Sequence, residues 1–205
     1  MILEEALAEC PLVAILRGIA PEEVIGHGEA LHAGGVRAME IPLNSPRPLE
    51  SLGRSAAELG GRMAVGAGTV LSHAAVDEVS GGGAVFVVSP NMDVTVIART
   101  VQLGLTPLPG FATPSEAFAA VAAGARHLKL FPASTYGPGH LKALKAVLPP
   151  DIRLYPVGGV GPAHMAAWRQ AGAAGFGLGS ELYRPGQSPE ETFEKAKICV
   201  AAARA

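Results

Sequence analysis

The feature that most constrains the fold is a repeating alternation between short apolar segments and longer, alanine-rich amphipathic segments. The apolar segments are rich in valine, isoleucine and leucine, and we predict eight strands at residues 12–16, 36–43, 63–68, 84–89, 106–110, 127–131, 152–157 and 175–178. Continuous apolar strands are typical of parallel sheets that are covered on both faces. The alternation therefore predicts an α/β fold.

A helical segment follows each predicted strand. Three of these helices begin near residues 21, 73 and 189, and the others cover 48–59, 94–103, 115–123, 140–148 and 162–171. Several of them end at glycines, such as Gly34-Gly35 and Gly60-Gly61, which are common helix stops. Eight strand–helix units predict a (β/α)8 TIM barrel that forms a single domain over residues 1–205.

The alternative α/β architecture is an open, doubly wound sheet. That fold would require a glycine-rich phosphate-binding turn after the first strand, with an acidic residue about 20 positions further on. The segment Arg17-Gly18-Ile19 does not fit such a turn. The barrel is the preferred prediction.

Composition excludes several classes of protein. The chain has 16 basic and 18 acidic side chains, a formal charge of −2, and so lacks the positive field that nucleic-acid binding requires. A hydrophobic content of 49% is too high for a disordered chain. The two cysteines, Cys10 and Cys199, show no metal-binding or redox spacing. With an acidic N-terminus and no apolar run long enough for a membrane span, we expect a soluble cytoplasmic protein that interacts with neither nucleic acid nor membrane.

Lys129 is the clearest candidate for chemistry. The chain has only five lysines, and Lys129 is the one that lies inside an apolar strand, in the segment Leu128-Lys129-Leu130. Burial can lower a lysine pKa by roughly 3 units, which would leave about a quarter of the amine neutral at pH 7. A neutral amine is the nucleophile that forms a Schiff base. The alternative interpretation is a lysine that only forms a salt bridge inside the barrel.

Glu40 is the matching acidic candidate, because it also lies within an apolar strand, between Met39 and Ile41. A carboxylate is costly to bury unless it is paired or functional. We expect either a proton shuttle beside Lys129 or the acidic partner of a salt bridge with it.

Two glycine clusters follow the seventh and eighth predicted strands. They are Gly158-Gly159 and Gly177–Ser180, at positions where barrels commonly bind phosphate through backbone N–H groups. Glycine allows the backbone to approach a ligand closely, and Ser180 can add a hydroxyl. The clusters predict a phosphate site, although glycines of ordinary turns would give the same pattern.

These residues stand within a series of motifs that resembles the class I pyruvate-lyase aldolases, which cleave 2-keto-3-deoxy-6-phosphosugar acids. The resemblance covers nearly the whole chain and lies in segments 14–19, 40–46, 65–71, 89–91, 128–132, 157–160 and 177–180. It implies a TIM barrel, no metal or other cofactor, and a homo-oligomer, specifically a homotrimer.

The resemblance also assigns roles to residues. Lys129 would form the Schiff base, and Glu40 would move protons. The remaining predicted substrate-binding residues fall into a carboxylate group (Arg17, Thr69 and Pro90) and a phosphate group (Gly158, Gly159, Gly179 and Ser180). The resemblance suggests no role for His127, and we expect a packed polar residue there.

Within the family, the sequence looks like the 2-dehydro-3-deoxy-6-phosphogalactonate branch. The phosphogluconate branch typically has an arginine about four positions after the strand-two glutamate, where this chain has Asn44, whereas Arg17 lies at the end of strand one. The alternatives are activity on the gluconate epimer or on both epimers. More remote are a phosphate-binding barrel isomerase or synthase that forms no Schiff base, and a non-catalytic phosphosugar-binding protein.

Overall fold

The computed structural model describes all 205 residues and contains nine helices and nine strands. The helices are α1 Leu3–Glu9, α2 Val24–Ala33, α3 Pro48–Leu59, α4 His73–Gly81, α5 Val94–Gln102, α6 Pro114–Ala122, α7 Ala133–Lys145, α8 Pro162–Gln170 and α9 Pro189–Arg204. The strands are β1 Leu12–Ile15, β2 Ala38–Pro42, β3 Ala64–Gly68, β4 Phe86–Val88, β5 Thr106–Leu108, β6 Gly110–Phe111, β7 His127–Leu130, β8 Arg153–Pro156 and β9 Phe176–Leu178.

All strand pairs are parallel, which confirms the predicted α/β class. Six strands form a half-barrel in the order β5-β4-β3-β2-β1-β9, and three more form a second sheet in the order β6-β7-β8. An isolated parallel bridge between Val157 and Gly177 joins the end of β8 to β9. Because every strand runs in the same direction, the carboxyl ends of β1, β7, β8 and β9 lie on one side of the molecule.

The core has two parts. A cluster of 46 buried residues lies largely between the strands and the surrounding helices. A second cluster of 10 residues joins strand residues, such as Val13, Ala38 and Phe86, to Leu3, Ala6 and Leu7 of α1. Helix α1 therefore covers the end of the strands opposite to their carboxyl ends.

Helix α1 was not predicted from the sequence, because its seven residues are too few to show helical periodicity. The predicted fifth strand is two short strands, β5 and β6, separated at Pro109. Gly110 lies against the backbone of Pro90, and a side chain there would overlap the Pro90 carbonyl group. Helix α7 begins at Ala133 rather than at 140, with a break in helical geometry at Gly137 (φ 73°).

The predicted glycine stops are confirmed at several helix ends. At the end of α2, for example, Gly35 adopts a φ of 98°, a conformation that glycine accepts without steric cost. None of the helices has the length and apolar character that crossing a membrane would require.

Candidate active site

A cavity of 370 Å³ opens at the carboxyl ends of β1, β7, β8 and β9. Of the sequence-predicted site residues it brings together Arg17, Lys129, Gly158, Gly159, Gly179 and Ser180. Its apolar wall includes Ile15, Phe131 and Val157. The cavity lies where the active sites of parallel α/β barrels are found.

Lys129 lies in β7 and is only 5% exposed, and the small exposed part faces the cavity. Its Nζ atom makes no hydrogen bond to the protein and lies 4.9 Å from the centre of the Phe131 ring. Burial lowers the pKa of Lys129, the Glu40 carboxylate opposes that effect, and the Arg17 guanidinium lowers the pKa further. The environment therefore favours the neutral, nucleophilic amine.

Glu40 lies in β2 beside Gly66 of β3 and is 2% exposed. Its Oε2 atom is fully buried and has no hydrogen-bond partner. Burial raises the pKa of Glu40, whereas the positive charges of Lys129 and Arg17 lower it. The Glu40 carboxylate and the Lys129 amine are more than 4.0 Å apart, so they do not form the direct salt bridge that was the alternative interpretation of both residues.

Gly68, at the end of β3, has no side chain and so leaves room for the Glu40 carboxylate. A Cβ atom at position 68 would overlap Oε2 of Glu40. Residue 68 must therefore be glycine if the carboxylate is to keep this position.

Arg17 follows β1 and is held by the loop after β2. Its Nη1 donates a hydrogen bond to Oδ1 of Asn44 at 2.7 Å, and the N–H of the next residue, Gly18, donates to Oγ of Ser45 at 2.9 Å. Arg17 forms no salt bridge with a carboxylate. Its charge is therefore available to an anionic ligand in the cavity.

The first glycine cluster exposes backbone donors. Gly158 and Gly159 adopt φ angles of 93° and 72°, which only glycine adopts readily at consecutive positions. A Cβ at position 159 would also lie 2.7 Å from Cβ of Ser134. The N–H groups of Gly158, Gly159 and Val160 donate to no protein acceptor.

The second glycine cluster, Gly177–Ser180, presents a similar set of backbone donors to the cavity. The N–H groups of Gly179, Ser180 and Glu181 also have no protein acceptor, although the Gly179 carbonyl accepts bonds from Leu182 and Tyr183. All six residues with free N–H groups line the one cavity. Converging backbone donors of this kind are a common way to bind phosphate.

Besides Glu40, two predicted site residues, Thr69 and Pro90, do not line this cavity. Thr69 follows β3 with a φ of 57°, a conformation that costs a non-glycine residue about 1 kcal/mol or more and that is concentrated at functional sites. Pro90 follows β4, where its carbonyl group contacts Gly110. Both lie at carboxyl ends of strands, but toward the β3–β4 side of the half-barrel.

Comparison with known proteins agrees with this geometry. The family described as "KDPG and KHG aldolase" matches residues 3–197 of the chain. The chain belongs to this aldolase family. It is 50% identical over 194 residues to the 2-dehydro-3-deoxy-6-phosphogalactonate aldolase of Escherichia coli (strain K12), and the match covers 95% of each chain.

A second relative from the same organism is less similar. The KHG/KDPG aldolase of Escherichia coli (strain K12) is 32% identical over 147 residues, covering 72% of this chain and 68% of that protein. A solved structure described as "Native KDPGal structure" superposes with a TM-score of 0.93 at 49% identity, covering 95% of this chain and 94% of the other. Of these three proteins, the two that are about 50% identical to this chain have names that refer to the galactonate compound, and the third is 32% identical.

The cavity of this family member also contains residues that the sequence analysis missed. Phe131, Glu181, Tyr183, Arg184 and Pro185 all line it. Phe131 lies within the motif at 128–132 and Glu181 directly follows the motif at 177–180, and these positions were the available signal, whereas residues 183–185 lie in an irregular loop. No group of three or more His, Cys, Asp or Glu side chains is arranged to hold a metal ion.

His127 lies on β7 below Lys129, at the end that α1 covers. It is 4% exposed, with Nδ1 2.9 Å from the Tyr155 hydroxyl and Nε2 3.4 Å from the Glu4 carboxylate. Burial lowers its pKa, and the neighbouring Glu4 opposes that effect. The expectation of a packed polar residue is confirmed.

Proposed function

We propose that this chain is a class I aldolase that cleaves 2-dehydro-3-deoxy-6-phosphogalactonate into pyruvate and glyceraldehyde 3-phosphate. The observation that carries the proposal is the buried Lys129, whose amine faces the cavity without an acidic partner. The family membership and the 50% identity to a galactonate aldolase agree with it.

Lys129 acts as the nucleophile. Its neutral amine attacks the C2 ketone of the substrate and forms a carbinolamine, which loses water to give a protonated imine. The lowered pKa of Lys129 increases the neutral fraction of the amine, which is the form that attacks.

Glu40 moves the protons. It returns a proton to the carbinolamine hydroxyl as water leaves, and then accepts the proton of the C4 hydroxyl as the C3–C4 bond breaks. A bridging water carries these protons, since Glu40 lies beyond direct contact with Lys129. The opposing effects of burial and nearby positive charge on the pKa of Glu40 suit a group that both gives and takes a proton.

The protonated imine serves as the electron sink. When C3–C4 breaks, its electron pair passes to the imine and forms the enamine of pyruvate, while glyceraldehyde 3-phosphate is released. Protonation at C3 and hydrolysis then give pyruvate and free Lys129. This route requires no metal, because the iminium nitrogen takes up the electrons.

Arg17 binds the C1 carboxylate, with Thr69 and Pro90 completing that end of the site. Support comes from the unpaired guanidinium of Arg17, which Asn44 orients and which influences both Lys129 and Glu40. An arginine supplied by β1 approaches the substrate from a different side than one supplied by the loop after β2. We expect this difference to favour the galactonate configuration at C4.

The 6-phosphate binds at the glycine clusters. The free N–H groups of Gly158, Gly159, Gly179 and Ser180 supply donors, and the Ser180 hydroxyl supplies one more. Gly158, Gly159 and Gly179 carry no side chain, so that phosphate oxygens can reach their backbone N–H groups.

At the level of architecture, we propose that the two sheets together close a (β/α)8 barrel. The Val157–Gly177 bridge supports closure on one side, and the continuity of β5 into β6 supports it on the other. We also propose a homotrimer, on the basis of the family resemblance. Light scattering that gave the mass of a single chain would contradict the trimer.

Comparison of the two C4 epimers tests the function. We expect kcat/KM for pyruvate release to be higher with the galactonate epimer, and Arg17→Ala to reduce that preference. Equal or reversed values for the wild type would assign the chain to the gluconate branch or to dual specificity. An unchanged preference in Arg17→Ala would refute the role of Arg17 in discrimination.

A further inference from the structure

Arg184 is a second guanidinium on the cavity wall, far along the chain from Arg17. It lies in the loop after β9, and its Nε donates a hydrogen bond to the Ser180 carbonyl at 3.1 Å. Its backbone N–H donates to the Gln187 side chain at 3.1 Å, which fixes the loop on the other side. The base of the side chain and its Nε are thus held in place.

The outer nitrogens of Arg184 are free. Nη1 and Nη2 donate to no protein acceptor, and no carboxylate lies within 4.0 Å of the guanidinium. Several exposed arginines elsewhere, such as Arg47 and Arg62, pair with carboxylates. Arg184 instead keeps two donors available beside the wall that carries the free N–H groups of Gly179 and Ser180.

The two guanidinium groups are held by different parts of the chain. Arg17 is held by the loop after β2 and influences the charge states of Lys129 and Glu40. Arg184 is held by the Ser180 carbonyl and contributes to neither of those two effects. The cavity therefore offers a ligand one guanidinium that acts on Lys129 and Glu40, and another that is held at the second glycine cluster.

We propose that Arg184 binds the phosphate of the substrate through Nη1 and Nη2 and selects phosphorylated over unphosphorylated substrates. This inference rests on the proposed function, because it takes the ligand to carry a carboxylate at one end and a phosphate at the other. Arginine suits the task, since its planar fork can donate two parallel hydrogen bonds to phosphate oxygens. The bond from Nε to Ser180 orients the fork before the ligand arrives.

The test uses the reverse, condensation reaction of the full-length chain. Pyruvate is offered with either glyceraldehyde 3-phosphate or glyceraldehyde, and kcat/KM is measured for each aldehyde. We expect Arg184→Gln to lower kcat/KM for the phosphorylated aldehyde about 10- to 100-fold and to change that for glyceraldehyde less than about threefold. Arg184→Lys keeps the charge but loses the planar fork. Its kcat/KM for the phosphorylated aldehyde should lie between that of the wild type and that of Arg184→Gln.

Arg54→Gln is the matched control. Arg54 is an exposed residue of α3 outside the cavity, and its substitution removes the same charge. It should leave both aldehydes unaffected. Equal losses with both aldehydes in Arg184→Gln would show a structural role only, and no loss with either would show that Arg184 does not bind phosphate; both results would overturn the proposal.

Inorganic phosphate separates this proposal from the proposed function. Its dissociation constant, measured by calorimetry, should rise in Arg184→Gln and stay unchanged in Arg54→Gln. If the wild type condensed neither aldehyde, the aldolase function would fail. The phosphate measurement would still test whether Arg184 binds phosphate. Equal phosphate affinities in the wild type and Arg184→Gln would overturn that proposal.

Discussion

The Oε2 atom of Glu40 occupies the space that a Cβ atom on residue 68 would fill, so glycine at position 68 is a condition for the buried position of that carboxylate. The position of the Glu40 carboxylate therefore depends on Gly68 of the adjacent strand, which has no side chain and leaves room for it.

Gly68→Ala is therefore expected to displace the Glu40 carboxylate and to lower kcat by at least about 100-fold, the typical contribution of a positioned acid–base group. The control is Gly53→Ala in α3, where a Cβ would contact nothing within 4 Å. Helix propensity predicts that this control is more stable by about 0.5–1 kcal/mol and fully active. Retention of wild-type kcat by Gly68→Ala would contradict the role assigned to Glu40.

The pKa of Lys129 should respond in opposite directions to two substitutions. Arg17 lowers this pKa, so Arg17→Gln should raise it, whereas Glu40 raises it, so Glu40→Gln should lower it. Because only the neutral amine reacts, the labelling rate of Lys129 by an acetylating reagent rises with pH through its pKa. The midpoint, followed by peptide mass spectrometry, should move to higher pH in Arg17→Gln and to lower pH in Glu40→Gln.

Exposed Lys142 serves as an internal reference in the same samples. Its labelling profile should be the same in all three proteins. Movement of the Lys129 midpoint in the same direction for both variants would show that the charges of Arg17 and Glu40 do not act on Lys129 as described.

Gly179→Ala tests the phosphate wall. Its Cβ would meet no protein atom within 4 Å and its φ is not in the left-handed region, so the fold should tolerate alanine. The methyl group would project near the free N–H groups, and we expect KM for the phosphorylated substrate to rise about threefold to tenfold, as for a weakened hydrogen bond. Gly61→Ala, which is equally open but outside the cavity, should leave KM unchanged.

His127 should make the stability of the fold depend on pH. Its pKa is lowered by burial, so the unfolded chain binds a proton on acidification before the folded chain does. The resulting stability is intact above the unfolded pKa of about 6.5 and is lost as pH falls toward the folded pKa, by at most about 2 kcal/mol between pH 6.5 and pH 5.

Urea unfolding at pH 7.5 and pH 5 measures this effect. His127→Gln should show a smaller difference between the two pH values than the wild type, while the exposed His164→Gln should match the wild type. An identical pH dependence in His127→Gln would contradict the contribution of His127. Activity should persist in His127→Gln, since His127 lies toward the end of the strands that α1 covers.

Sequence patterns predicted the parts of the fold that depend on hydrophobic periodicity. The long strand–helix units, the buried Lys129 and Glu40, and the two glycine clusters at strand ends all follow from residue types in order along the chain. Helix α1 and the division of the fifth strand did not follow, because they depend on tertiary contacts: Leu3 and Leu7 pack into the core cluster of 10 residues, and Gly110 approaches Pro90.

In the site, too, sequence patterns predicted some residues, whereas others depend on tertiary contacts. Arg17 and Ser180 were predicted at strand ends, but the place of Arg184 depends on how an irregular loop folds back to the Ser180 carbonyl. The need for glycine at position 68 was also out of reach, because it depends on the register between β2 and β3, which pairs Glu40 with Gly66.

The central claim is that Lys129 forms a Schiff base with a keto acid, and trapping tests it most directly. The chain is incubated with pyruvate, reduced with borohydride and analysed by intact and peptide mass spectrometry, beside Lys129→Met and the control Lys142→Met. This claim predicts one reduced pyruvate adduct per chain, on Lys129, present in the wild type and Lys142→Met and absent in Lys129→Met. No adduct under conditions in which a known class I aldolase reacts, or an adduct that persists in Lys129→Met, would contradict it.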